Sequence, residues 1–193
     1  MNATDDDQTV KIIGIAGSLR AGSYNRAALR AATALASADA AIDVFDIDGI
    51  PGFNQDLENE PPAKVVDLKR RVRQADAVLF VTPEYNYSVP GVLKNAIDWA
   101  SRPYGDNAWQ DKPVAVMGAS IGAHGSARAQ YHLRQSFIFL NMYPVNRPEV
   151  MITNASGRFD AAGNLIDKDS RELIRQLLQE LVTWTRQLRK VRT

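Results

Sequence analysis

The sequence predicts an α/β fold in which helices cover both faces of one parallel sheet. Short β-branched apolar runs alternate along the chain with segments of helical apolar period. The first run also breaks into a Gly/Ser-rich turn that opens a helix, VKIIGIAGSLRAGSYNR over residues 10–26. Length gives a third indication, since 193 residues suffice for one well-buried domain and fall short of two ordinary ones. A single domain over residues 10–193 is therefore expected. Residues 1–9, polar and acidic, read as a disordered arm, without the basic start and apolar centre of a signal peptide.

Each element has its own signal. Val10, Ile12, Ile13 and Ile15 form a run that suits a central strand covered on both faces. From Tyr24 onward, Ala27, Ala28, Ala31, Ala32 and Leu35 recur at helical spacing. Residues 42–47 give a second strand, followed by a loop at 48–62 rich in Gly, Pro, Asn and Asp. Val65, Leu68, Val72 and Ala75 mark the next helix, and residues 77–81 the third strand. Val92, Leu93, Ala96, Ile97 and Ala100 mark another helix before a fourth strand at 114–117. A helix over 126–142 leads to a strand near 149–152. Residues 154–168, with Gly157 and the pair Gly163-Asn164, read as an exposed excursion or a small hairpin. Leu173, Ile174, Leu177, Leu178, Leu181, Val182 and Leu188 then build a long amphipathic final helix.

Composition narrows the function classes. Lys plus Arg number 23 against 22 acidic residues, so no global field favours nucleic acid or an anionic membrane surface. No apolar stretch approaches the roughly 20 residues that span a bilayer. Partners are expected to be small molecules or further copies of the chain. The absence of cysteine excludes a disulfide, a thiolate nucleophile and a thiolate metal site, and suits a reducing compartment, with the cytoplasm expected.

In an open doubly wound sheet, ligands lie beyond the carboxyl ends of the strands, where strand order reverses. The loops after strands one, three and four read GSLRAGSYNR, TPEYNYSVPG and GASIGAHGSA. The first suits a phosphate: Ser18, Ser23 and Asn25 bring short polar side chains, and Gly17 and Gly22 permit close backbone approach. Arg20 brings a fixed charge, and a helix N-terminus follows. In the second, Pro83 and Pro90 stiffen a loop whose amides and tyrosine rings suit a flat heteroaromatic ligand with polar edges. Glu84 has no second acid or base near it in sequence to support a general-base role.

GSLRAGSYNR together with PEYNYSVPGVLKNAIDW resembles the NADPH-dependent FMN reductase family, flavodoxin-like proteins that include quinone, azo-dye and chromate reductases. The resemblance runs from Lys11 to the last helix. It implies a three-layer sandwich around a five-stranded parallel sheet of order 2-1-3-4-5. It also implies tightly held FMN, NADPH or NADH as co-substrate, a small-molecule acceptor such as a quinone, and ping-pong electron transfer with no catalytic side chain. Under the resemblance Ser18, Arg20, Ser23 and Asn25, with Leu19 among them, match phosphate-binding positions. Pro83, Glu84, Tyr85, Asn86 and Tyr87 match the segment beside the isoalloxazine, and Ser120 and Gly122 match a third flavin-contacting loop. An FMN-binding electron carrier or sensor is the alternative from another class.

Other motifs compete less well. The spacing from Gly17 to Gly22 opens like a P-loop, but Ser23-Tyr24 stands where Lys and Ser/Thr belong. G-x-G-x-x-G is missing after the first strand, so a Rossmann mode for NAD is not expected. Gly118-Ala-Ser120-Ile-Gly122 matches a G-x-S-x-G nucleophile elbow, yet a hydrolase of that type needs an acid and then a histidine downstream, and His124 and His132 both come too early. His124 is read as approaching the ligand or as a solvated loop residue. Two histidines without clustered carboxylates give no metal site. Arg128 and Tyr131 share a helix face and are expected to meet Tyr87 or Glu149 of a neighbouring subunit, or to solvate that face. Residues 137–140, Phe-Ile-Phe-Leu, are apolar on more than one side, and a homodimer or homotetramer is expected. Arg20, Arg102 and Arg128 are the candidates for reading a ribose 2′-phosphate.

Overall fold

The computed structural model describes residues 9–192, with side chains through 191; the expected arm at 1–9 lies, apart from Thr9, outside the described residues. β1 (Val10–Ala16) lies inside the sheet, and every side chain except that of Lys11 is buried. It pairs in parallel with β2 (Ala40–Phe45) on one side and β3 (Ala77–Val81) on the other, with Ile12 opposite both Ile42 and Ala77. β3 continues the parallel ladder to β4 (Pro113–Ala119), and both strands are buried along their whole length. Such strands need cover on both faces, which explains their unbroken apolar runs.

The fifth position is filled in two pieces. β5 (Tyr143–Pro144) pairs with the start of β4 at Pro113 and Val114, and β6 (Val150–Ile152) pairs with its end at Met117 to Ala119. Pro144 and Pro148 have no N–H for a ladder, so the chain leaves the sheet after the Val145 amide bonds the Val114 carbonyl at 2.8 Å, and returns at Val150. The order is thus 2-1-3-4-5, as the resemblance implies, with a split last strand.

Successive residues point to opposite faces, and two cores result. Ile12, Leu79 and Met117 pack with Leu29 of α1 (Tyr24–Leu35) and with Leu177 and Leu181 of α5 (Lys168–Arg192). Ile13, Phe80 and Val116 pack with Leu68 of α2 (Ala63–Gln74), Ile97 of α3 (Gly91–Ala100) and Leu133 of α4 (Ala127–Leu140). The excursion after β6 does contain an antiparallel bridge, Phe159 to Leu165, but it is less exposed than its charges suggest: Ala155, Phe159 and Leu165 are buried in the α1/α5 core. Among the described residues no helix is long and apolar enough to cross a membrane. Strand order reverses between β1 and β3, so the loops that follow them flank one crevice.

Candidate functional site

The turn after β1 begins where the Gly17 amide bonds the Val81 carbonyl at 2.9 Å, extending the β1/β3 ladder by one bond. Ser23 caps α1, its hydroxyl oxygen accepting from the amides of Asn25 (3.2 Å) and Arg26 (3.5 Å). With the oxygen engaged as acceptor, the hydroxyl proton is left to donate outward. Ser18 is 4% exposed, and its hydroxyl has no hydrogen-bond partner among the described residues. Arg20 makes no ion pair among them either; its guanidinium lies 5.9 Å from the centre of the Tyr24 ring. α1 carries no acidic residue in its first turn. A hydroxyl left without a partner, an unpaired guanidinium and a helix N-terminus together fit a phosphate.

Asn25 is placed differently. Its amide nitrogen donates to the Ala119 carbonyl and its amide oxygen accepts from the Ala119 N–H, both at 2.9 Å. The residue is 3% exposed, and both ends of its amide are engaged at the end of β4.

After β3, Tyr85 to Ser88 form a two-residue hairpin closed by reciprocal backbone bonds of 3.1 and 2.9 Å. Asn86 (φ 51°) and Tyr87 (φ 64°) both adopt the left-handed region, as a type I′ turn requires. Asparagine suits that region; for tyrosine it costs about 1–2 kcal/mol. The Arg128 guanidinium lies 3.7 Å from the Tyr87 ring centre, giving the tyrosine its cover. Tyr85 and Tyr87 stay half-exposed or more. His132 on α4 meets the Ser88 hydroxyl at 3.1 Å and ties the hairpin to that helix.

Glu84 reaches the start of α4. One carboxylate oxygen accepts from Arg128 Nε at 2.5 Å and pairs with its Nη2; the other accepts from the α4 amides of Arg128 (3.0 Å) and Ala129 (3.3 Å). The N-cap residue of α4, Ser126, has φ 70° and gives no side-chain cap, so Glu84 supplies one from another loop. Burial pushes the Glu84 pKa up, but the Arg128 guanidinium and the helix amides outweigh it and hold the carboxyl below its ordinary range. An ionised, fully engaged carboxylate is no general base. Arg128 and Tyr131, expected to reach a neighbouring subunit or to solvate their face, have partners in their own chain: Arg128 meets Glu84 and Tyr87, and the Glu149 carboxylate beside Tyr131 raises the pKa of its phenol.

In the third loop the Ser120 hydroxyl accepts from the Gly122 amide at 3.2 Å, while its backbone bonds Ile152 and Ala155. A nucleophile elbow holds its serine on a strained turn. Ser120 is not among the residues at positive φ, His132 is engaged with Ser88, and His124 is exposed. Packing explains Gly118 instead, since a Cβ there would sit far inside contact with the Thr82 carbonyl oxygen and the Ser126 hydroxyl. Among the described residues no three His, Asp or Glu side chains could hold a metal.

The three loops thus meet at the carboxyl edge of the sheet. The family model for NADPH-dependent FMN reductases matches residues 10–157. The chain belongs to the NADPH-dependent FMN reductase family. It is similar to an NAD(P)H-dependent FMN reductase of Pseudomonas aeruginosa, 54% identical over 182 residues that cover 93% of this chain and 97% of that one. A 2-hydroxy-1,4-benzoquinone reductase of a Burkholderia species is 42% identical over 180 residues, 93% of this chain and 98% of the relative. Among solved structures, the flavoenzyme NAD(P)H:(acceptor) oxidoreductase FerB of Paracoccus denitrificans superposes with a TM-score of 0.85 at 35% identity, covering 92% of this chain and 98% of FerB.

In this FMN reductase, two candidates for a ribose 2′-phosphate are already occupied. Arg102 pairs with Glu58 and stacks on Tyr104 at 3.8 Å, and Arg128 is held by Glu84. The engagement of Asn25 and Glu84 escapes sequence reasoning, because their partners lie 94 and 44 residues away.

Proposed function

We propose that the chain is an FMN-dependent oxidoreductase that draws electrons from NADPH or NADH and passes them, by a ping-pong mechanism, to quinones or similar small acceptors. The partnerless hydroxyl of Ser18, a residue only 4% exposed, and the unpaired Arg20 two positions on carry this reading, because a terminal phosphate satisfies both. The names of the relatives, an FMN reductase and a benzoquinone reductase, support the same class. Bound FMN supplies the redox chemistry, taking up hydride and releasing two electrons. Ser18, Arg20, Ser23 and the amides around Leu19 hold the phosphate. Pro83 to Tyr87 border the ring through backbone and aromatic surface. Amides near Ser120 and Gly122 donate toward the negative charge that develops there.

The visible spectrum of the purified protein and its bleaching by NADPH or NADH test the reading. A colourless protein that FMN cannot reconstitute would overturn it, and bleaching without steady-state quinone turnover would favour an electron carrier. Arg20→Ala should weaken FMN binding by roughly 1.5–3 kcal/mol, the size of a charge-assisted hydrogen bond; equal affinity in titrations would remove Arg20 from the site. Ser120→Ala should keep most NAD(P)H oxidation, whereas its complete loss, with esterase activity in the parent, would favour a hydrolase.

A homo-oligomer in the cytoplasm belongs to the same proposal. Phe137 and Leu140 are buried within the chain, but Ile138 and Phe139 are 83% and 79% exposed on the outer face of α4, where a second copy would cover them. Ile138→Glu with Phe139→Glu should yield monomers in analytical ultracentrifugation. Unchanged sedimentation would place the interface elsewhere.

A further inference from the structure

We infer that Asn25 stands in for a missing extension of β3 and, by doing so, fixes the span between the phosphate turn and the ring-side loop. The β3/β4 register ends at Val81 and Met117, and the last ladder bond runs from the Thr82 amide to the Met117 carbonyl at 2.9 Å. Pro83 has no N–H, so the chain departs there. β4 continues two residues further, to Ala119. In a strand, backbone groups of residues two apart face the same side. Met117 faces β3, so the N–H and C=O of Ala119 face the space that β3 has vacated. Next in the chain, Ser120 faces the other way, its amide bonding the Ile152 carbonyl at 3.0 Å.

Ala119 is 2% exposed, and two unpaired backbone groups there would be costly. The side-chain amide of Asn25 offers one donor and one acceptor in the geometry of a peptide group, and it takes both. Asn25 lies two residues beyond the Ser23 cap, and Ala119 immediately precedes Ser120. One side chain therefore joins the turn that would hold the ligand's tail to the loop that would border its ring. Asn25 is a positioning residue and acts through Ala119. Its consequence for flavin rests on the FMN reading, while its structural part does not.

Two measurements on the full-length protein separate these parts. Amide hydrogen exchange at Ala119, followed by NMR in flavin-free protein, reports the strand substitution directly. In Asn25→Ala the Ala119 amide should exchange at least about tenfold faster relative to Val116, as loss of a buried hydrogen bond predicts. Unchanged protection at Ala119 would overturn the proposal. Titration with FMN and with riboflavin, which lacks the phosphate, reads the span: Asn25→Ala should weaken both by about tenfold or more, leaving their ratio as in the parent. Loss of FMN affinity with riboflavin affinity intact would make Asn25 a phosphate ligand and overturn the proposal. Circular dichroism and a cooperative thermal transition guard against variants that fail to fold. Asn25→Asp keeps the shape and the acceptor for the Ala119 N–H but replaces the donor with an oxygen facing the Ala119 carbonyl. It should retain protection at Ala119 and bind riboflavin with an affinity between parent and Asn25→Ala; riboflavin binding at parental strength would overturn the proposal. A parent that binds neither flavin would sink the FMN reading, and the exchange result would still stand.

Discussion

Gly118→Ala should lower stability by about 3–5 kcal/mol, beyond the usual cost of overpacking, because one of the clashing groups is backbone. A new methyl group would fall inside both the Thr82 carbonyl oxygen and the Ser126 hydroxyl. Neither yields cheaply. Thr82 is held by its amide bond to Met117, and Ser126 is 1% exposed and accepts from Gln130 Nε2 at 3.2 Å. The strain has to be relieved by moving the end of β3 away from the start of α4, which separates the second and third loops. Tm should fall by roughly 6–20 °C for a chain of this size, with loss of bound flavin. A Tm close to the parent's, with normal flavin content, would show that the two loops tolerate separation.

Glu84→Ala should cost about 2–3 kcal/mol at neutral pH. Two α4 amides lose their acceptor, and Arg128 loses its partner. The Arg128 side chain is 39% exposed, so water replaces part of the pairing and the loss stays below that of a fully buried pair. The pH dependence has a definite sign. The folded-state pKa of Glu84 lies below its unfolded value, about 4.3, so its contribution is complete above that range and fades as pH falls through the folded value. The Tm gap between parent and variant should therefore be widest near pH 7 and shrink toward pH 3. Asp39, Asp46, Asp67, Asp106, Asp160 and Asp167 are held low as well, but they are common to both proteins and cancel in the difference. A gap that is the same at both ends of the range would mean that the charge of Glu84 plays no part.

Much of this architecture was legible in the residues. The runs that became β1, β3 and β4 are β-branched and short, and residues 77–81 were delimited by their apolar pattern alone. α1 begins at Tyr24 because Ser23 is a good cap. β5 has no sequence signal for a physical reason: two residues ending in proline carry neither a period nor a full set of donors. The placement of the three loops at one edge was legible too, since each follows a strand of a parallel sheet. What the sequence conceals is which polar groups already have partners. Asn25 and Ser18 look alike in GSLRAGSYNR, yet one closes a gap in the sheet and the other is left without a partner among the described residues. Glu84 reads as a lone acid in the second loop only until α4, 44 residues later, is folded against it.

The split fifth strand bears on how the protein behaves in a crowded solution. An exposed sheet edge is a template on which a foreign strand can add, and long flat edges invite self-association into insoluble material. Here that edge offers two residues, then an interruption containing Pro148, then three more. No incoming strand can keep continuous register across it, so this edge is a poor template for strand addition.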